Sequence, residues 1–447
     1  MPRRGDGASF CAHDGGGGGM GPVPASERIP VIDILRGFAL FGILLVNIGT
    51  GEFSYPFSMR RELWTGTADR AALALIEFFA EGNFYTLFSF LFGLGFAIQM
   101  SRAESGGSGF VPVYLRRLFG LLLIGLLHAT FLWQSDILRD YAMVGFVLLL
   151  FRGCSPKTLL RLAVLSLLIP MAYYSMRVGL REVRQAEPRP AQAVVIRRTQ
   201  PAVQPTREQE YLRVYSQGTY WEMVGMRTRD LIEDYSSLDY YFSSWMLILV
   251  MFLLGLYAGR GGIFENLSKH LPFVRKVFWW GLGWGLAGNF LWQVVVLPLL
   301  PGDAGFSRTT FTGILGSVGW RVGEPALCFF YASAIILLAQ REVWKARLGP
   351  LAAVGRMALT NYLLQSVICT TLFYSYGFGL YGKVGPAMCA LVAVLIFTLQ
   401  IPLSIWWLRH FRFGPAEWVW RSLTYGRMQP MRMGTFPPLA KPTPTVT

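Results

Sequence analysis

The 447-residue chain contains only 4 histidines, and one of them, His128, falls inside the apolar run Leu118–Trp133. The others occupy ordinary positions: His13 in a glycine-rich tail, His270 in a basic loop, and His410 beside Arg409 and Arg412. An imidazole gives up or takes a proton near neutrality, so one held in an apolar helix can serve as base, nucleophile or hydrogen-bonding strut. Asn47 lies near the same end of a second apolar run, Val31–Thr50. Polar groups at such depth are costly, which makes each a candidate for function and also for interhelical bonding.

Spacing adds to this. Arg36 precedes Asn47 by 11 residues, and Arg117 precedes His128 by the same interval. On a helix that is about three turns, or ~16 Å along one face. Two helices thus carry an arginine toward one end and a hydrogen-bonding side chain toward the other, on a common stripe. The rival reading has Arg36 and Arg117 snorkelling to the interface, with Asn47 and His128 as interhelical partners. Asp33 stands three residues before Arg36 and can neutralise it. Gly37, Gly42, Gly120 and Gly125 allow backbones to approach closely.

The elements that position these residues follow from composition. The chain is 53% hydrophobic and 15% charged, with 15% aromatic residues, and its mean hydropathy is +0.41. A soluble domain carries about a quarter charged residues. The apolar residues come in long blocks without strand-like alternation, which excludes a β-barrel. The fold expected is all-α, a polytopic membrane bundle of roughly ten spans near the ~20 residues that cross a bilayer. The expected spans are 31–50, 84–101, 113–133, 138–152, 158–178, 240–259, 277–298, 320–340, 352–374 and 384–407. Ala71–Phe79 extends the second backward across a break at Glu81-Gly82-Asn83.

The expected organisation is a flexible tail over 1–27, an N-terminal membrane half over 28–180, and an extracytoplasmic helical loop over 181–238. A C-terminal half over 239–432 ends in an interfacial amphipathic helix within Gly414–Arg432, and 433–447 is a second tail. Short loops near 102–112, 153–157, 260–276 and 341–351 are richer in Arg and Lys than those opposite, which places both termini in the cytoplasm. The net charge of +15 is largely this anchoring, and with no nucleic-acid motif it does not argue for nucleic acid. Cys11, Cys154, Cys328, Cys369 and Cys389 have neither paired nor metal-like spacing, so neither disulfide nor metal is expected.

Several strings are specific enough to suggest kinship. Asp33-x-x-Arg36-Gly37-Phe-Ala-Leu-x-Gly-Ile-Leu-Leu-Val-Asn47 resembles the first-span signature of the YeiB-like bacterial inner-membrane proteins, a domain of unknown function. Glu81-Gly82-Asn83-Phe84-Tyr85 resembles the start of that family's second span. Arg116-Arg117-Leu through Gly125-Leu-Leu-His128, then Asp136-Ile-Leu-x-x-Tyr141-Ala, resembles its third and fourth. Gly355-Arg356 to Asn361-Tyr362, and Gly414-Pro415-x-Glu417-Trp418-x-Trp420-Arg421, resemble its closing signature. The resemblance covers about residues 28–432. Through its Leu-Arg-Gly motif the family is similar to membrane acyltransferases of the heparan-glucosaminide acetyltransferase and acyltransferase-three kinds. Their likeness implies acyl-CoA as a cytoplasmic donor substrate and a sugar, glycan or lipid acceptor on the far side. Acyltransferase-three proteins carry their histidine on the first span, where this chain has Asn47.

On that reading His128 is general base or nucleophile, and the Asn47 amide steadies the oxyanion. Asp136, Tyr141 or Glu81 orients the imidazole. Arg36, Arg116 and Arg117 receive CoA phosphates. Membrane lipid is an expected partner, and a homodimer is left open. Asn289 with Gln293, and Asn361 with Gln365, are expected as interhelical glue. The alternative function is a transporter or transport-accessory protein whose polar stripe passes a small solute.

Overall fold

The computed structural model describes residues 29–105, 109–186, 206–296 and 310–432; the two expected tails, 1–27 and 433–447, lie outside that range. The described residues are helical, with no β-element beyond a bridge between Phe411 and Arg432. In chain order the helices are α1 (Pro30–Gly49), α2 (Arg60–Leu63), α3 (Thr67–Phe79), α4 (Asn83–Ser105), α5 (Phe110–Phe131) and α6 (Leu138–Leu148). Then come α7 (Pro156–Ala186), α8 (Arg207–Gln217), α9 (Tyr220–Ser236), α10 (Leu238–Tyr240) and α11 (Met246–Arg260). The last are α12 (Leu267–Phe290), α13 (Thr310–Leu338), α14 (Glu342–Arg356), α15 (Ala358–Phe373), α16 (Pro386–His410) and α17 (Pro415–Tyr425).

The protein is a polytopic helical membrane bundle. Among the described residues, six stretches are long and apolar enough to cross a bilayer: 30–49, 67–104, 110–131, 156–177, 318–338 and 386–410. α11 and α15 are apolar but shorter. Local chemistry explains several ends. Proline opens α1, α16 and α17, where its missing N–H costs nothing. α8 and α9 each begin with a full capping box, Thr206 with Gln209 and Thr219 with Glu222. The break after α3 falls at Ala80–Gly82, where Gly82 takes a positive φ of 81°.

One expected span divides. Residues 352–374 are not continuous: Met357 leaves helical geometry and separates α14 from α15. The freed amides at the start of α15 find a partner on a distant element, since Glu417 of α17 accepts hydrogen bonds from Leu359 N (2.7 Å) and Thr360 N (3.1 Å). No local sequence signal announces this, because the cap is 57 residues downstream of Thr360.

α1 runs through the centre, packed against α4, α14, α15 and α16. Its approach to α14 is backbone on backbone: a Cβ on Gly37 would lie 2.2 Å from Leu351 O, and one on Gly355 would lie 1.9 Å from Asp33 O. α5 pairs with α6 and sets the two ends of the site. Trp420 of α17 donates to Arg117 O at 2.8 Å, toward the start of α5. At its finish, Tyr220 and Arg227 of α9 donate to Phe131 O at 2.9 and 3.1 Å. The expected loop helices are therefore present and lie over the His128 end of the bundle. The amide pairs join helices as expected. Asn361 donates to Ser404 at 3.0 Å and Gln365 to Gln400 at 2.8 Å, while Asn289 reaches Phe78 O at 2.9 Å.

Candidate functional site

His128 is 3% exposed and sits one turn from the end of α5. Its Nδ1 lies 2.9 Å from Asp136 Oδ1, on the turn that leads into α6. An ionised carboxylate only accepts, so Nδ1 carries a proton, and in the neutral ring Nε2 then keeps its lone pair. That Nε2 is buried and has no hydrogen-bond partner. Asp136 is held in turn by the Arg139 amide, which donates to Oδ2 at 3.0 Å, and by the Tyr362 hydroxyl, which donates to Oδ1 at 3.3 Å. Gly125 makes the pairing possible: a Cβ there would lie 2.5 Å from Arg139 N and 2.9 Å from Asp136 Oδ2. A buried acid–imidazole pair with one free basic nitrogen is the arrangement a general base or a nucleophilic imidazole requires.

Beside this pair lies a cavity of about 260 Å3 between α1, α4, α5, α15 and α17. Its floor is cationic: Arg36, Arg102, Arg117, Arg356, Arg412 and Arg421 all line it. The acidic side chains of the lining are Asp33 and Glu417, which leaves an excess of four positive charges. Both acids are engaged. Asp33 Oδ1 takes Arg36 Nη1 at 2.9 Å, and Glu417 caps α15. Glu417 is buried, and that burial pushes its carboxyl up. Arg117 also stacks on the Trp420 ring at 3.9 Å. At an effective dielectric near 20, like charges 4 Å apart repel by about 4 kcal/mol. An arginine cluster around a hollow is thus a site that gains from an anion, and guanidinium forks suit phosphate. Apolar and aromatic groups, Leu40, Ile43, Phe88, Phe92 and Leu121 among them, complete the wall.

The two parts meet at Tyr362. Its side chain lines the cavity, bonds Asp136, and sets its ring 5.3 Å from the imidazole. His128 itself is not in the cavity wall; it lies one side chain beyond.

The expected residues separate into those assembled here and those placed elsewhere. Asp136 orients the imidazole, and Arg36 and Arg117 line the cavity, as expected from their spacing. Arg116, one position round the helix from Arg117, is exposed and does not line it. Tyr141 lines the cavity but its hydroxyl donates to Tyr85 O at 2.8 Å and accepts from Ser89 at 3.0 Å, so it does not orient the histidine. Glu81 pairs with Arg60 at 3.4 Å, in a different cluster. Asn47 contributes its backbone carbonyl to a series of contacts that ends at His128. Phe53 N donates to Asn47 O, Phe53 stacks on Trp133 at 4.1 Å, and Trp133 meets the imidazole edge-on at 6.3 Å. The route from one to the other runs through packed aromatic rings, and Asn47 does not line the cavity. Residues that spacing did not single out are Tyr362 and the outer arginines Arg102, Arg356, Arg412 and Arg421. Their motif strings were visible, but only the fold brings four separate helical ends to one hollow.

A second polar centre lies around the α3–α4 break. Glu77, 3% exposed, takes Arg60 Nε at 2.9 Å, and Arg61 closes on its other oxygen at 2.5 Å. Tyr85 approaches Glu324 at 3.5 Å from the α4 side. Glu52, in the loop after α1, is near Arg60 and Ser135, and burial pushes its carboxyl up.

Comparison with known proteins agrees with these observations. Residues 258–427 match a family model described as a protein of unknown function (DUF418). Over 431 residues the chain is 38% identical to the uncharacterized protein YxaH of Bacillus subtilis, covering 93% of this chain and 98% of that one. An uncharacterized 39.9 kDa protein from the amylase 3′ region of Bacillus acidopullulyticus is 27% identical over 420 residues, with coverage of 92% and 98%. Escherichia coli YeiB is 28% identical over 410 residues, with coverage of 89% and 96%. With a helical membrane fold and end-to-end similarity in hand, the chain belongs to the YeiB-like family of polytopic membrane proteins.

Proposed function

We propose that the protein is an integral membrane acyltransferase. An acyl-CoA engages the arginine-lined cavity through its phosphates, and its acyl group passes at His128 to a hydroxyl or amine of a sugar, glycan or lipid headgroup. The bacterial cytoplasmic membrane, with both termini inside, is the setting this reading requires, since acyl-CoA is cytoplasmic and the arginines then face it.

One observation carries the reading: Tyr362 belongs at once to the wall of the cationic cavity and to the hydrogen-bond set of the His128–Asp136 pair. An anion site and a poised base are therefore one side chain apart. The cavity is near the lower end of the ~300–1,000 Å3 of ordinary ligand sites. It takes a segment of the donor and leaves the bulk of CoA at its mouth.

The chemistry balances in either of two forms. As a base, Nε2 removes the acceptor proton, the acceptor oxygen or nitrogen bonds the thioester carbon, and the C–S bond breaks. As a nucleophile, Nε2 bonds that carbon first and CoA thiolate leaves; the acceptor oxygen or nitrogen then bonds the carbon, the C–N bond to Nε2 breaks, and the acceptor proton goes to the released Nε2. Asp136 stabilises the imidazolium that the first form creates. The Asn47 oxyanion role is left out, because Asn47 does not line the cavity.

The test is turnover of radiolabelled acetyl-CoA by protein purified in detergent or nanodiscs, with and without membrane extract as acceptor. Acetyl transfer that depends on His128 supports the reading. Turnover undiminished in His128→Ala removes histidine from the mechanism.

A further inference from the structure

The geometry points to Tyr362 as a positioning residue that couples anion occupancy of the arginine cavity to the state of His128. The inference rests on the reading of the cavity as an anion site, but not on acyl transfer itself. Three contacts in series carry it. At the cavity mouth, α17 presents Trp420 against Arg117 and contributes Arg421 to the wall. The same short helix fastens the first turn of α15, because Glu417 takes the amides of Leu359 and Thr360, and Ala416 N returns a bond to Thr360 Oγ1 at 3.0 Å. Two residues further along that helix, Tyr362 holds Asp136, and Asp136 holds Nδ1 of the imidazole.

The argument for coupling is stereochemical. α15 begins at Ala358, two residues after α14 ends at Arg356, and its first turn is held both by the Glu417 carboxylate and by Asn361 Nδ2 on Val354 O at 3.3 Å. A displacement of α17 carried by Glu417 reaches Tyr362 within about one turn, or ~5 Å. The Tyr362–Asp136 bond at 3.3 Å is longer than the ~2.7–2.8 Å typical of a hydroxyl donor, so small movements change it substantially. Tyr362 also stands between the cavity and the imidazole as part of the wall that His128 does not reach. Filling the cavity with an anion draws Arg421, Arg117 and Arg36 inward, and the clamp transmits that to the one hydroxyl shared with Asp136. By linkage, the state of the His–Asp pair acts back on anion affinity by the same factor.

The experiment uses full-length protein labelled with 13C,15N-histidine in micelles, titrated with inorganic pyrophosphate. Pyrophosphate is too short to carry an acyl group and has no thioester. The chain has 4 histidines, and His128→Gln assigns the ring signal. Binding is read separately by calorimetry. In the wild type, pyrophosphate binds and shifts the His128 ring resonances, while those of His270 and His410 stay put. In Tyr362→Phe, at pyrophosphate concentrations that calorimetry shows to saturate the variant, the His128 shift is lost; in Glu417→Gln the shift is reduced. A thermal midpoint for each variant shows that the fold survives. Binding with an undiminished His128 shift in Tyr362→Phe, or binding with no shift in the wild type, overturns the coupling and leaves the cavity reading standing. No pyrophosphate binding by the wild type overturns both.

Discussion

The two polar centres of the bundle answer the same problem, charge within an apolar frame, in opposite ways. Around the α3–α4 break, acids and bases are matched at contact distance: Glu77 with Arg60 and Arg61, Glu81 with Arg60. Ion pairing holds this set together, although Glu77 Oε1 and Glu81 Oε2 have no hydrogen-bond partner. At the other centre, six arginines surround a hollow against two acids already committed to a salt bridge and a helix cap. The arginines outnumber the acids of that lining by four, and the Nε2 of His128 nearby has no hydrogen-bond partner. The first centre has acids at contact distance from its arginines; the second has a hollow among them.

Substitutions test this contrast. His128→Ala, and Asp136→Asn through loss of the correct tautomer, are expected to lower acetyl-CoA turnover per folded molecule by ~10²–10⁴-fold, or about 3–5 kcal/mol of barrier, and because both groups are buried, His128→Ala also lowers the thermal midpoint. Turnover assays alongside detergent thermal denaturation check it. Glu77→Ala removes the acid shared by Arg60 and Arg61, leaving Arg60 only Glu81, and should cost about 1–3 kcal/mol of stability while CoA binding by the surviving folded fraction stays intact. Urea or heat titration followed by binding distinguishes this from a site effect. Gly125→Ala forces a methyl into Arg139 N and Asp136 Oδ2, costs about 1–3 kcal/mol, and removes the His128–Asp136 bond, visible as a changed histidine 15N spectrum. Arg117→Ala is the smallest: CoA affinity should fall about tenfold, or ~1.4 kcal/mol, with a weaker dependence on salt. If Arg117→Ala instead unfolds the protein and leaves CoA affinity untouched, the distinction between the two centres is wrong.

Residue spacing went a long way toward the second centre. Eleven-residue separation put Arg117 and His128 on one stripe of α5, and Asp136 followed closely enough to reach the imidazole. It misplaced what depends on direction. Arg116 and Arg117 are adjacent in sequence, yet 100° of helix rotation sends one to the surface and the other into the cavity. Asn47 occupies the expected depth on its own span, but depth along an axis says nothing about which neighbour the side chain faces. Tyr141 and Glu81 lay near enough in sequence to serve His128 and instead bond Ser89 and Arg60. Tyr362, 226 residues from Asp136, had no local sign of its role.

Composition and block hydropathy by themselves determined the class, a helical membrane bundle, because the transfer of ~20 apolar residues into hydrocarbon is a property of each segment alone. They also determined that polar residues within those blocks would be few and consequential. Which of these residues meet was decided only by tertiary packing. The rotation of each helix is set by its neighbours, through contacts such as Gly37 on α14 and Gly125 on the α6 turn. The break at Met357, capped from α17, is the plainest case: a helix end became affordable only because a carboxylate from far along the chain arrived to satisfy it.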